Sequence, residues 1–193
     1  MHDRLQVAIG LGSLMASPAY ERHYEESVRL PAGAREIFSY ADDFSQLSSH
    51  MNKSSSMMMG GRMETSLDAA RGQAVGSHVR MKGRMMGLEL FLEEVVTERE
   101  PPQHKAWETI GRPRLLVIDG YRLGFDIVTE ADKSSKLRVF IDYDLPKALS
   151  LRWLGLMFGK AYAKWCVQQM VNDARKHFVM PSTAAQVATW PSR

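Results

Sequence analysis

From Gly60 to Tyr143 the chain places apolar side chains on one parity and polar ones on the other, segment after segment. In Ser77-His78-Val79-Arg80-Met81-Lys82-Gly83-Arg84-Met85 the odd positions are small or apolar and the even ones basic. A period of two belongs to strands with one buried face and one wet face, so the odd positions face inward. Strands are predicted over 62–68, 76–86, 88–98, 105–111, 115–130 and 136–145. The breaks between them are short and rich in glycine, proline and serine, with Gly87, Pro101-Pro102, Pro113 and Ser134-Ser135 among them. Such breaks join neighbours as antiparallel hairpins, which makes a meander and leaves no room for βαβ units. The inward set runs through Met63, Thr65 and Leu67, then Val79, Met81 and Met85, then Leu88, Leu90 and Leu92. It continues with Trp107 and Thr109, with Tyr121, Leu123, Phe125 and Ile127, and with Leu137, Val139, Ile141 and Tyr143. Arg80, Lys82, Arg122, Asp126, Arg138 and Asp142 take the wet face.

An earlier strand, 23–30, sets Tyr24, Glu26, Val28 and Leu30 on one side. Pro31-Ala32-Gly33 turns it into a helix beginning near Ala34, and Asp42-Asp43 separates that helix from a second short one. Residues 45–61 hold Ser54-Ser55-Ser56, three consecutive methionines and a glycine pair, a composition that favours a loop with an adaptable apolar middle at the lip of a pocket. From Ala148 to Phe178 the period becomes helical. Leu154, Phe158, Ala161 and Trp165 share one stripe, and Tyr162, Cys166, Met170 and Ala174 widen the apolar surface beyond what one helix face needs. A helix that apolar calls for a concave surface around it. The domain is therefore expected over 23–179, between an N-terminal arm, 1–22, and a C-terminal tail, 180–193, that is small and polar apart from Trp190.

Length and composition narrow the class. At 193 residues with 45% hydrophobic and 24% charged side chains, one globular domain with a sizeable core is expected. A net charge of +3 with no basic cluster interleaved with aromatics argues against nucleic acid as a partner. The single cysteine, Cys166, excludes an internal disulfide and fits a reduced, cytoplasmic setting. Residues 5–16 form a mildly apolar run ending near Ala16-Ser17-Pro18-Ala19, a faint likeness to an export signal that Asp3 and two glycines weaken. Gly10-Leu11-Gly12 is a fragment of a dinucleotide fingerprint, but Pro18 and the missing βαβ unit argue against nucleotide binding.

Candidate chemistry is sparse. Histidines 2, 23, 50, 78, 104 and 177 lack ligand spacing, so no metal site and no cofactor are expected. Two acid/base candidates stand out: Glu26, on the inward side of its strand, and His50, beside the methionine-rich loop. Tyr121, Tyr143 and Tyr162 offer hydroxyls that orient a ligand. The closing helix carries Lys147, Arg152, Lys160, Lys164, Arg175 and Lys176, but its apolar breadth is explained by a gripping sheet without a membrane surface.

The order strand, two short helices, six strands and a long final helix resembles the START/polyketide-cyclase superfamily, also called SRPBCC, to which the birch-pollen-allergen proteins belong. Val28-Arg29-Leu30-Pro31-Ala32 before Ile37-Phe38-Ser39-Tyr40, Gly76-Ser77, Glu94 to Pro102, and Trp107 carry the likeness. The resemblance implies an α+β helix-grip fold, with a curved antiparallel sheet of about seven strands wrapped around the long C-terminal helix. It also implies a cavity for a small hydrophobic molecule such as a lipid, isoprenoid or polyketide. Met81, Met85, Leu90, Leu92, Trp107 and Thr109 are expected to line it from the sheet, with Leu123, Phe125, Val139, Ile141 and Tyr143. Phe158, Tyr162 and Trp165 are expected on the helix side. Members that bind and members that catalyse share this architecture, so three functions stay open. They are a hydrophobic-ligand binder or carrier, a polyketide cyclase or dehydratase using Glu26 or His50, and a protein-partner module with a filled interior.

Overall fold

The predicted alternation becomes a seven-stranded antiparallel sheet in the order β1-β7-β6-β5-β4-β3-β2. The computed structural model describes residues 20–44, 62–85, 88–130 and 133–179. Their elements are β1 (Arg22–Leu30), α1 (Ala34–Asp42), β2 (Arg62–Leu67), β3 (His78–Met85), β4 (Leu88–Glu100), β5 (His104–Arg114), β6 (Tyr121–Thr129), β7 (Ser135–Tyr143) and α2 (Leu149–Val179). Strands β2 to β7 follow one another as a meander, and β1 closes onto the far side of β7, pairing Arg22 with Tyr143 and Leu30 with Ser135. The second short helix and the methionine-rich loop fall outside the described residues.

Parity does what the sequence predicts along most of the sheet. Val79, Met81, Leu92, Trp107, Phe125, Ile127, Leu137, Val139, Ile141 and Tyr143 are all buried on the concave side. The convex side carries a charged lattice. His104 bridges Asp126 at 2.7 Å and Glu98 at 2.8 Å, Arg122 holds Glu98 at 2.7 Å, and Arg138 joins Asp126 to Glu25. The hydrogen bond to Asp126 is the main reason the His104 imidazole titrates above its ordinary value.

Three expectations need correction. Pro113 does not end its strand: β5 runs on to Arg114, because the last β5 partner on β6 is Glu108, so beyond it a residue without an N–H costs no ladder bond on that side. Residues 115–120 are not strand; they cross from β5 to β6 as an irregular segment. Leu88, expected inside, is 53% exposed, because it opens β4 at the end of the sheet.

Helix α1 buries Ile37, Phe38 and Ala41, and its last residue, Asp42, is clamped from the sheet. Lys105 on β5 is wholly buried and donates to Asp42 at 2.7 Å, while Arg99 donates to it at 2.8 Å and 3.2 Å. Burial works to raise the Asp42 carboxyl, but these hydrogen bonds outweigh it and hold the group below the usual carboxylate range.

Helix α2 spans about 46 Å at ~1.5 Å per residue and packs mainly against β1 and β7. Its buried line is Gly155, Gly159, Ala163, Val167, Val171 and Ala174, mostly small residues four apart. The glycines permit close approach. A Cβ on Gly155 would lie 2.6 Å from Pro146 Cδ and 3.0 Å from the Val117 carbonyl, and one on Gly159 would meet the same carbonyl at 3.0 Å.

Candidate functional site

The parity that buries Leu90 and Leu92 also carries Glu94 to the concave face, between Val79 on β3 and Thr109 on β5. Glu94 is 1% exposed. Tyr121 on β6 donates a short hydrogen bond to Oε1, whereas Oε2 is buried and, among the described residues, has no partner in hydrogen-bond geometry. Desolvation pushes the carboxyl up to about 7, against the pull of the Tyr121 hydroxyl, the Trp107 indole and the Lys105 ammonium. Tyr121 itself is held well above its ordinary value, by burial first and by Glu94 second.

Across from this pair, α2 presents Tyr162 and Cys166, one turn apart. Both titrate far above their ordinary ranges because they lie deep in the molecule, and the Cys166 thiol is pushed up to about 12. Each senses the Glu94 charge, which places the three groups around one region. Yet Tyr162, Trp165, Cys166, Leu123 and Thr109 all keep part of their surface accessible. Groups that are deep but not fully covered border space that solvent or a ligand can enter. At one end, a cleft of about 750 Å³ opens between β4, the 115–119 segment and the start of α2, reaching Leu90, Leu115, Leu116, Ile118 and Leu151. A broader groove of about 1420 Å³ shares Leu90 and runs past Thr65, whose buried hydroxyl also lacks a partner. Glu94 stands about 13 Å further along β4 from Leu90, at ~3.3 Å per residue.

No protein-family model and no curated protein sequence matches the chain. Solved structures do. Norcoclaurine synthase from Thalictrum flavum superposes with a TM-score of 0.58 at 13% identity, over 83% of this chain and 95% of that one. The ginseng major latex-like protein 151 from Panax ginseng gives 0.56 at 10% identity, over 83% and 98%. Ara h 8.0201 gives 0.53 at 11% identity, over 83% and 99%. The chain has the helix-grip fold that these structures share. Identities this low carry the architecture and leave the chemistry to the residues.

Within that helix-grip frame, the residues named from sequence separate into groups. Met81, Leu92, Trp107, Phe125, Val139, Ile141 and Tyr143 are packed core, with Phe125 edge-on to Phe38 at 5.6 Å and Phe44 edge-on to Trp107 at 5.0 Å. Leu90 borders both clefts, whereas Leu123, Tyr162 and Trp165 are half-buried and line neither of them. The Thr109 hydroxyl is committed to the Tyr121 backbone, accepting from its N–H and donating to its carbonyl at 3.2 Å each, so it bridges β5 and β6 where their ladder ends. Phe158, expected on the helix side of the pocket, is 48% exposed, because the inward line of α2 runs through the glycines rather than through Leu154 and Phe158. Glu26 is half-buried on the edge strand β1, accepting from the Tyr24 hydroxyl at 3.0 Å. His50 and the Met85 side chain lie outside the described residues. Among the described residues no group of three or more His, Cys, Asp or Glu is placed to hold a metal ion. Glu94 and Lys105 are not among the candidates the sequence offers, although both follow the parity of the apolar positions beside them.

Proposed function

We propose that the protein binds a small, largely hydrophobic molecule between the concave face and α2, and that Glu94 and Tyr121 fix its single polar group. One observation carries this reading: a fully buried carboxyl with one oxygen held by Tyr121 and the other, among the described residues, left without a partner. An unsatisfied buried acceptor costs about 1–3 kcal/mol, and a ligand hydroxyl or amine that donates to Oε2 returns that cost on binding. Affinity comes mainly from apolar surface removed from water, at about 25 cal/mol per Å², while the carboxyl supplies orientation. Tyr162 and Cys166 close the site from the helix. The cleft at Leu90 gives the ligand its entrance, and the distance from there to Glu94 suits an elongated molecule with its polar end innermost.

Native mass spectrometry of the purified protein, with extraction and identification of any bound compound, tests the reading directly. A panel of alcohols, isoprenoids and aromatic polyketides should raise the melting temperature, and Glu94→Leu should abolish the shift for ligands with a donor group while leaving the fold intact. Bare polypeptide mass from several hosts, together with no thermal shift across the panel, overturns it.

A second reading is favoured by one feature, the Glu94 titration near neutrality. A carboxyl that exchanges its proton at working pH suits general acid/base chemistry of the cyclase or dehydratase type. Under this reading Glu94→Gln retains ligand binding and loses turnover of an aromatic polyketide substrate.

A further inference from the structure

The outer face of α2 is not what a gripped helix requires. Leu149, Trp153, Leu156 and Met157 are 86%, 56%, 57% and 64% exposed. Their spacing of four, three and one, continued by exposed Lys160 and Lys164, sets all six on one side of the helix, away from the line of Gly155 and Gly159. Exposed apolar side chains scattered singly mean little, but four on adjoining turns of one helix form a contiguous patch. The charge along this part of the helix is of one sign. From Lys147 to Asn172 the chain has four cations, Lys147, Arg152, Lys160 and Lys164, and no acidic residue. Among the described residues none of the four has an ion-pair partner.

We propose that this face docks on an anionic lipid bilayer, with Leu149, Trp153, Leu156 and Met157 entering the headgroup region and the lysines resting on lipid phosphates. A convex helical ridge with a tryptophan, aliphatic side chains and flanking lysines is the chemistry of an interfacial helix. Long lysine stems reach outward from an apolar strip to the charged layer. A second copy of the chain fits the same face poorly, because a symmetric pair would bring eight unopposed cations together. The 750 Å³ cleft opens beside the start of the same helix, with Leu88 exposed at its rim and Arg114 and Lys147 beside Glu89 and Asp119 in its lining. Docking therefore points the entrance toward the membrane, where an apolar ligand can pass without crossing water. The inference goes beyond the Glu94 reading and stands on different residues.

The test is co-sedimentation of the full chain with vesicles of phosphatidylcholine alone and of equal parts phosphatidylcholine and phosphatidylglycerol. Binding to the anionic vesicles, weakened by high salt and accompanied by a blue shift of tryptophan emission, is expected. Trp153→Asp with Met157→Asp should abolish it, and Trp153→Phe should retain it. Lys160→Glu with Lys164→Glu should lower partitioning by at least about twentyfold, taking about fivefold per cation removed. All of these sites are exposed, so circular dichroism and melting temperature should match the parent. Several outcomes overturn the proposal: no binding to anionic vesicles, equal binding to neutral ones, binding that survives the double aspartate variant, or Trp153 already shielded from acrylamide without vesicles. A dimer that the aspartates dissociate would likewise assign the face to a second copy. Glu94→Leu should bind vesicles normally, and the aspartate variant should keep its thermal shift with a soluble ligand, so the two readings fail separately.

Discussion

At the residue scale, Glu94 couples folding to pH with a definite sign. Its carboxyl sits near 7 in the folded protein and near 4.5 when exposed, so the folded state holds the proton more tightly. The associated stability is fully present below about pH 4.5 and is lost as pH rises through about 7. The change is on the order of 3 kcal/mol, at 1.36 kcal/mol per unit. Glu94→Gln keeps the shape without the titration. Denaturant melts of the two proteins from pH 4 to pH 8 should diverge steadily, the variant becoming the more stable at the alkaline end; parallel curves would remove Glu94 as the source. The sequence pattern alone does not single this residue out. It shares parity with Leu90 and Leu92, but an acid read against an apolar pattern looks like an interruption, and its partner Tyr121 lies 27 positions away. Lys105 escaped for the same reason, since only the folded chain reveals Asp42 and Arg99 beside it.

At the element scale, α2 shows what periodicity reads and what it cannot. Its existence and extent follow from the helical period and the delayed proline, and the observed Leu149–Val179 differs from the predicted range by one residue at each end. Its orientation does not follow, because a helix apolar on all sides has no preferred face by pattern alone. Bulky residues were expected inward, and the small ones are. The reason is steric: Val117 and the Leu145-Pro146 link that follows β7 approach the helix so closely that a Cβ at 155 or 159 would crowd them. Gly155→Ala tests this. Helix propensity alone favours alanine by about 1 kcal/mol, yet the added methyl meets the Pro146 ring and the Val117 carbonyl, so a net loss of about 1–3 kcal/mol in urea melts is expected. A stabilised variant would mean that the helix sits further from the sheet.

At the scale of the whole molecule, the meander and its closing helix were readable because each hairpin turn and each change of period is local, and local signals fix the order of elements. The clefts were not readable, since one arises where β4, the 115–119 segment and the start of α2 converge and the other where β2 to β5 meet, from distant parts of the sequence. The Cys166 thiol, unreactive while its proton is held up to about 12, gives the packing of α2 on the sheet a reporter. As the chain has one sulfhydryl, a maleimide adduct counted by intact mass clocks how often helix and sheet part. Alkylation should be slow at neutral pH and slower once the interior is filled. Prompt quantitative modification would indicate that the two halves of the grip breathe freely, and the protein would then work as a hinge that opens around its cargo rather than as a sleeve threaded from one end.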